Sequence, residues 1–93
     1  MSSINPANQG TATPVTRKFN YIASNPGGAG GVLLPPARVG TIIYITNDGT
    51  QNVSVYPSPG ERLINLTTNN PLTMAVQVTR MFVCSKLAVW SWV

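Results

Sequence analysis

The segment from residue 41 to residue 56 has the clearest pattern of apolar and polar positions in the chain. Two runs rich in β-branched and aromatic residues, 41–46 and 52–56, flank the dipeptide Asp48-Gly49. Asp-Gly is favoured where a hairpin turn needs positive φ angles. The pattern therefore predicts two strands joined as a β-hairpin.

Further short strand signals follow one another along the rest of the chain. Apolar or alternating runs, separated by turn-forming Pro, Gly and Asn, occupy residues 32–34, 62–66, 73–78, 80–84 and 87–93. Strands of about five residues with turns every eight to twelve residues are typical of sandwiches and small barrels. We predict an all-β fold, a small antiparallel β-sandwich or β-barrel of jelly-roll-like type, over residues 32–93. Its last two strands should form a hairpin through Ser85-Lys86.

The first 31 residues differ in composition from the rest of the chain. They are rich in Ser, Asn, Gly, Pro, Thr and Ala, and only residues 15–22 have strand character. Alternation would place Arg17, Phe19 and Tyr21 on one face of that strand. We predict that residues 1–31 form an extended N-terminal arm with one short strand, which lies on a neighbouring protein or folds back on its own domain.

Both faces of the strand at 41–46 carry apolar side chains. Ile42 and Tyr44 point to one face, and Ile43 and Ile45 point to the other. A strand that is apolar on both faces is either central in a sandwich or packed against another subunit.

Composition also favours a subunit of an assembly. The chain has 93 residues, one Cys and no His, which excludes an internal disulfide and a structural zinc site. A core this small usually needs a disulfide, a metal or a partner chain for stability, so oligomerisation is the remaining possibility. Only 9% of its residues are charged, against about 25% in a typical domain, and the net charge is +4. No apolar stretch is long enough for a membrane helix and the N-terminus does not resemble a signal peptide, so we expect no membrane and a cytosolic site of synthesis.

Few side chains could carry catalysis. Asp48 lies in a turn, and Glu61 follows Pro59-Gly60 as a solvated turn carboxylate. Cys84 lies in an apolar run, and no His is present to activate it. We predict no enzymatic activity, no cofactor and no metal. The Gly-rich run at 27–31 precedes an apolar, Pro-containing segment rather than a helix, and is therefore interpreted as a connector and not a phosphate loop.

Two binding functions remain open from the residues alone. Arg17 and Lys18, next to Phe19 and Tyr21, form a weak version of the basic and aromatic strip that binds nucleic acid. This function predicts that the cations converge on one face, namely Arg17, Lys18, Arg38 and Arg62. We do not expect nucleic acid as the partner, because the other basic residues are scattered along the chain.

The second open function is glycan binding through tryptophan. Trp90 and Trp92 alternate onto one face of the last strand, where they could stack against sugars. Aromatic residues in a terminal strand more often fill a core or a subunit interface. We therefore expect both to be buried in the core or between subunits.

The order of four segments resembles that in small proteins and domains of tailed bacteriophages. These segments are an apolar run with a Pro-containing turn at 33–40, a strand and turn at 43–49, a Val-Tyr-Pro segment ending in Ile-Asn at 53–65, and closing strands at 81–90. Proteins of this family are virion components, either capsid decoration (cement) proteins or parts of tails and fibres. The resemblance implies a trimeric β-structure on the outer capsid surface.

The resemblance also implies partners and contacts. The chain would form a homotrimer that bridges neighbouring subunits of the major capsid protein and opposes the pressure of packaged DNA. Expected capsid contacts in the arm are Ile4, Arg17, Lys18, Phe19 and Tyr21. Expected oligomer contacts are Tyr44, Trp90 and Trp92. A tail or fibre component that binds a host glycan, and a small nucleic-acid-binding β-barrel, are the alternatives.

Overall fold

The described part of the chain consists of β-strands joined by turns. The structure is a computed structural model, which describes residues 8–23 and 30–93. Within these ranges there are nine strands and no helix. The strands are β1 (Thr13–Pro14), β2 (Phe19–Ile22), β3 (Gly30–Leu33), β4 (Ile42–Asn47), β5 (Val53–Tyr56), β6 (Arg62–Leu63), β7 (Leu72–Met74), β8 (Val78–Lys86) and β9 (Val89–Trp92). The described chain is all-β, as the sequence predicts.

The strands form two sheets with mixed strand directions. One sheet has four strands in the order β1-β3-β5-β7, and the other has five in the order β2-β4-β8-β9-β6. The pairs β1–β3, β3–β5, β2–β4 and β6–β9 are parallel, whereas β4–β8, β5–β7 and β8–β9 are antiparallel. The prediction of antiparallel sheets is therefore wrong. From β1 to β8, each strand lies in the other sheet from the strand that precedes it in sequence. As a result β3 pairs parallel with β1, β4 with β2, and β5 with β3.

The predicted hairpin at Asp48-Gly49 is also wrong, because β4 and β5 lie in different sheets. Neither Asp48 nor Gly49 adopts the positive φ angle that a tight hairpin turn requires. The Asn47 side chain organises the connection instead. Its Nδ2 donates to the Gln51 carbonyl at 2.9 Å and to the Ala75 carbonyl at 3.2 Å, and its Oδ1 accepts from the Gly49 amide at 3.1 Å.

The predicted hairpin at the end of the chain is present. β8 and β9 pair antiparallel, with Phe82 opposite Trp92 and an irregular register between Val83 and Lys86. β8 continues through Lys86, so the turn lies two residues later than predicted. It includes Ala88, whose φ is 64°.

One hydrophobic core draws side chains from both sheets. Val32, Val53, Val55 and Met74 come from the four-stranded sheet; Ile22, Ile43, Ile45, Phe82, Cys84, Trp90 and Leu63 come from the five-stranded sheet. Phe82 and Trp90 are among the largest fully buried side chains. Full burial of a large apolar side chain stabilises a fold by about 1.5–3 kcal/mol.

The described part of the predicted arm belongs to these sheets. β1 pairs with β3, β2 pairs with β4, and Val15 and Ile22 are core residues. Residues 8–23 thus fold back on their own domain. β3 begins at Gly30 and crosses the boundary predicted between residues 31 and 32. Ile4 and residues 24–29 lie outside the described residues.

Candidate functional site

The five-stranded sheet has one side that points away from the core. In β4, Ile43 and Ile45 are buried, whereas the alternate side chains point outward. The same alternation in β2 buries Ile22 and exposes Phe19 and Tyr21, which share one face as predicted. Strand register extends this side across β8 and the chain end. We call it the outer face; its members are Phe19, Tyr21, Ile42, Tyr44, Thr46, Thr79, Met81, Val83, Ser91 and Val93.

Seven of the ten side chains on the outer face are apolar or aromatic, and none of the ten is charged. Charged side chains lie at its edges: Lys18 beside Phe19, Asp48 beside Tyr21, and Arg62 in β6. Phe19 is 69% exposed, Val93 is 72% exposed, and Tyr21 and Ile42 are also exposed. Its polar groups include Thr46 and Thr79, whose hydroxyls hydrogen-bond to each other at 2.8 Å. Single exposed apolar residues are normal on a protein, but a contiguous apolar patch is typical of an interaction surface.

An aromatic stack gives the outer face a fixed shape. Phe19 lies opposite Tyr44 in the parallel register of β2 and β4. Their ring centroids are 4.9 Å apart and the planes differ by 8°. The Lys18 ammonium lies 5.8 Å from the centroid of the Phe19 ring. Aromatic pairs of this kind contribute about 0.5–1.5 kcal/mol beyond the area they bury, so this part of the surface is organised before any partner binds.

Tyr21 and Asp48 tie the edge strand β2 to the connection after β4. The Tyr21 hydroxyl donates a hydrogen bond to the Asp48 carboxylate. This bond lowers the pKa of Asp48, and a second bond from Gln77 lowers it further. The same contact raises the pKa of Tyr21, because ionisation of the phenol would remove the donated proton beside a negative charge.

The other side-chain carboxylate of the chain is also engaged internally. Asp48 and Glu61 are the two acidic residues of the sequence. Glu61, predicted to be a solvated turn carboxylate, is half-buried, and both of its carboxylate oxygens accept from the Ala37 amide at 3.0 Å. The folded chain therefore has no uncommitted acidic side chain.

The lone thiol is placed for packing. Cys84 is buried in the core, and its Sγ donates to the Lys86 carbonyl at 3.2 Å. Burial raises the pKa of the Cys84 thiol, which disfavours the reactive thiolate.

The basic residues are spread across the molecule rather than clustered. Arg17 and Lys18 are exposed in the connection between β1 and β2, at one edge of the five-stranded sheet. Arg62 is in β6, at the opposite edge. The Arg80 guanidinium lies 5.3 Å from the centroid of the Trp92 ring. Nucleic-acid binding predicts that Arg17, Lys18, Arg38 and Arg62 converge. Arg38 is exposed in the connection between β3 and β4, and the width of the five-stranded sheet separates Arg62 from Arg17 and Lys18.

The two tryptophans have different environments. Trp90 is fully buried in the core, so in this fold it presents no surface to a sugar or to a second subunit. Trp92 is half-buried beneath Arg80, and its Nε1 donates to the Ile64 carbonyl at 3.4 Å. Of the residues predicted at an oligomer interface, Tyr44 belongs to the outer face and Trp90 does not.

A pocket lies beside the outer face where β4 begins. Its volume is about 330 Å³, and its lining residues are Val15, Thr16, Arg17, Lys18, Pro35, Thr41, Ile42 and Ile43. The connection between β1 and β2 forms one wall of the pocket. Two backbone hydrogen bonds hold this wall: the Val15 amide donates to the Leu33 carbonyl at 2.8 Å, and the Tyr44 amide donates to the Lys18 carbonyl at 2.6 Å. We call this the connection pocket.

The sequence contained a signal for part of this site. Phe19, Tyr21 and Tyr44 were identified from alternation, and the same alternation of Met81 and Val83 along β8 could have added those two. The connection pocket carries no local signal, because its walls come from three separate segments of the chain.

Among the described residues, no group of three or more His, Cys, Asp or Glu side chains could hold a metal ion. The same ranges contain no helix of the length and hydropathy needed to cross a membrane. No protein-family model matches the chain, and neither the curated proteins nor the solved structures include a match.

Proposed function

We propose that this chain is a structural subunit that binds other protein subunits through its outer face, as a capsid decoration protein of a tailed bacteriophage. The observation that carries the proposal is the exposed aromatic surface formed by Phe19, Tyr21 and Tyr44. Only 9% of the residues are charged, so the chain has few charged side chains to keep a free monomer with this surface soluble.

The energetics of association favour this use of the outer face. Removal of apolar surface from water contributes about 25 cal/mol per Å². Interfaces concentrate binding energy in a few central residues, and Tyr is enriched among them. The stacked pair Phe19 and Tyr44 is already ordered, so a partner would not need to immobilise it on binding.

The arrangement of the chain fits the proposed role. Two sheets around one core are the basis of a β-sandwich, and we take this domain as a small sandwich with mixed strand directions. The order of segments that resembles phage virion proteins runs through both sheets. In the proposed assembly the chain is a homotrimer on the outer capsid surface, and each copy contacts the major capsid protein.

The mechanism is mechanical rather than chemical. Each subunit adds interface between neighbouring capsid subunits, and this extra interface opposes the outward pressure of packaged DNA. Attachment of a trimer at several points raises its apparent affinity above that of any single contact. A standard interface of roughly 1,600 Å² per contact, repeated over the shell, is sufficient for such clamping.

A binding experiment with purified protein tests the role of the outer face. Phe19→Asp should abolish binding to capsids, because it places a charge at the centre of the aromatic surface. Leu87→Asp is the matched control, since Leu87 is 74% exposed in the turn between β8 and β9 and is not part of the outer face. Circular dichroism establishes that both variants are folded. Equal capsid binding by the two variants would refute the assignment.

A cryo-electron-microscopy map of virus particles from the source of the chain tests the location. Density between capsomers on the outer shell would support decoration. Density confined to the tail would overturn decoration in favour of the fibre alternative, and density on no particle would overturn both.

A further inference from the structure

We infer that the connection pocket receives an apolar side chain from an extended, acidic segment of a partner protein. This inference rests on the proposed docking function and specifies the chemistry of the partner segment. It combines an apolar cavity with a basic rim, and the rim has no acidic residue among its lining.

The interior of the pocket is suited to an apolar group. Val15, Pro35, Ile42 and Ile43 contribute apolar side chains to the lining. The volume, about 330 Å³, lies at the lower end of the range of roughly 300–1,000 Å³ for ligand pockets. A large apolar side chain and part of its flanking backbone can therefore enter.

The rim of the pocket is basic and attracts carboxylates. Arg17 and Lys18 line it and are both exposed. The two acidic side chains of the chain are engaged elsewhere, Asp48 with Tyr21 and Glu61 with the Ala37 amide. A second copy of this chain has the same two carboxylates in the same contacts. The rim is therefore complementary in charge to an acidic partner rather than to a second copy of this chain, whose net charge is +4.

A protein segment fits these features better than a nucleic acid. Nucleic-acid sites follow the backbone with many cations, whereas this rim has two and Arg62 lies at the far edge of the sheet. The pocket is also continuous with the outer face. Ile42 belongs to both, and Phe19 directly follows Lys18 in the chain. A segment anchored in the pocket can therefore extend over the aromatic surface.

Nuclear magnetic resonance titration of the isolated protein tests the inference with defined probes. The first probe is a short synthetic peptide of Asp and Glu residues around a central Leu. The second replaces this Leu with Gly, the third replaces the acidic residues with Lys, and the fourth is a single-stranded oligothymidylate of similar length. The first peptide should shift the amide signals of Thr16, Thr41 and Ile43, with an affinity about tenfold above that of either other peptide.

Charge variants test the role of the rim. Arg17→Gln and Lys18→Gln should each weaken binding of the first peptide several-fold, and the loss should be smaller at high salt because the attraction is screened. Arg62→Gln removes a charge from the opposite edge of the same sheet and should leave the affinity unchanged. Equal losses in all three variants would overturn the inference, since general attraction to a basic protein would then explain binding.

Other outcomes of the titration also decide the question. No shift at the pocket with any peptide, or equal binding of the Leu and Gly peptides, would overturn it. Tighter binding of the oligothymidylate would overturn it in favour of a nucleic-acid site. If peptide binding fails while Phe19→Asp still abolishes capsid binding, the inference fails and the proposed function stands. If peptide binding succeeds while the unmodified protein binds no capsid, the proposed function fails and a different acidic partner must be sought.

Discussion

Replacement of Asn47 by Ala tests whether one buried amide maintains the connection between the two sheets. Asn47 is fully buried, and its side chain makes three hydrogen bonds to backbone groups. Gln51 and Ala75 are exposed residues whose carbonyls can regain water, so each lost bond there costs about 1 kcal/mol. The Gly49 amide is in a buried position, and its desolvation without a partner costs about 1–3 kcal/mol.

The variant should therefore lose at least about 3 kcal/mol of the free energy of unfolding. For a domain of this size, 1 kcal/mol corresponds to roughly 4–8 °C, so the Tm should fall by about 12–24 °C. Urea unfolding followed by tryptophan fluorescence measures the free energy, and circular dichroism measures the Tm. Asn70→Ala is the control, since Asn70 is exposed and bonds only locally to Thr67, and should cost under about 0.5 kcal/mol. A loss below about 1 kcal/mol for Asn47→Ala would show that water or a rearranged loop replaces the amide, and would refute the reasoning.

Three further predictions concern the core, the ionisable pair and the thiol. Phe82→Ala should lower the free energy of unfolding by about 3–5 kcal/mol in the same urea assay, because it leaves a cavity between the sheets. A loss under about 1 kcal/mol would contradict the burial of Phe82 in the core. Since the folded pKa of Asp48 is lowered, its stabilisation is present above the ordinary pKa of aspartate, about 3.9, and is lost as the pH falls through the lower folded value. The folded pKa of Tyr21 is raised, so its stabilisation is present below pH 10.0 and is lost as the pH rises through the folded value. Tyr21→Phe should reduce both dependences in urea unfolding at several pH values, and unchanged pH profiles would contradict the contact. Cys84 should react with a thiol reagent only at the rate at which the chain unfolds, because burial protects it and raises its pKa; rapid labelling of the folded protein would contradict the buried position.

Features that depend on neighbouring residues could be predicted from the sequence. Alternation groups Phe19 with Tyr21 and separates Ile43 and Ile45 from Tyr44, because the side-chain direction in a strand changes with every residue. It does not indicate which of the two faces is buried, since that depends on the packing of the sheets. The hairpin at the chain end could also be predicted, since its two strands are consecutive in sequence and joined by a short turn.

Features that depend on distant residues could not be predicted. Asp48-Gly49 has the same local signature whether the chain turns back beside itself or crosses to another sheet. The outcome depends on Asn47, which reaches the Ala75 carbonyl 28 positions along the chain. The connection pocket combines Val15, Pro35 and Ile42, and no local pattern brings these three together.

The alternation of the chain between sheets has a consequence for how fast the protein reaches its native state. Among the described strands, only β8 and β9 are both consecutive in sequence and paired. Every other strand pair must close a longer loop before its contacts form, which costs more chain entropy. Proteins dominated by such non-local pairing fold in milliseconds to seconds. We therefore expect the β8–β9 hairpin to form first, and β4 and then β2 to add to it. Until β2 docks, its aromatic residues and the edge of β4 are open to other chains, so production of this protein at high concentration favours aggregation over folding.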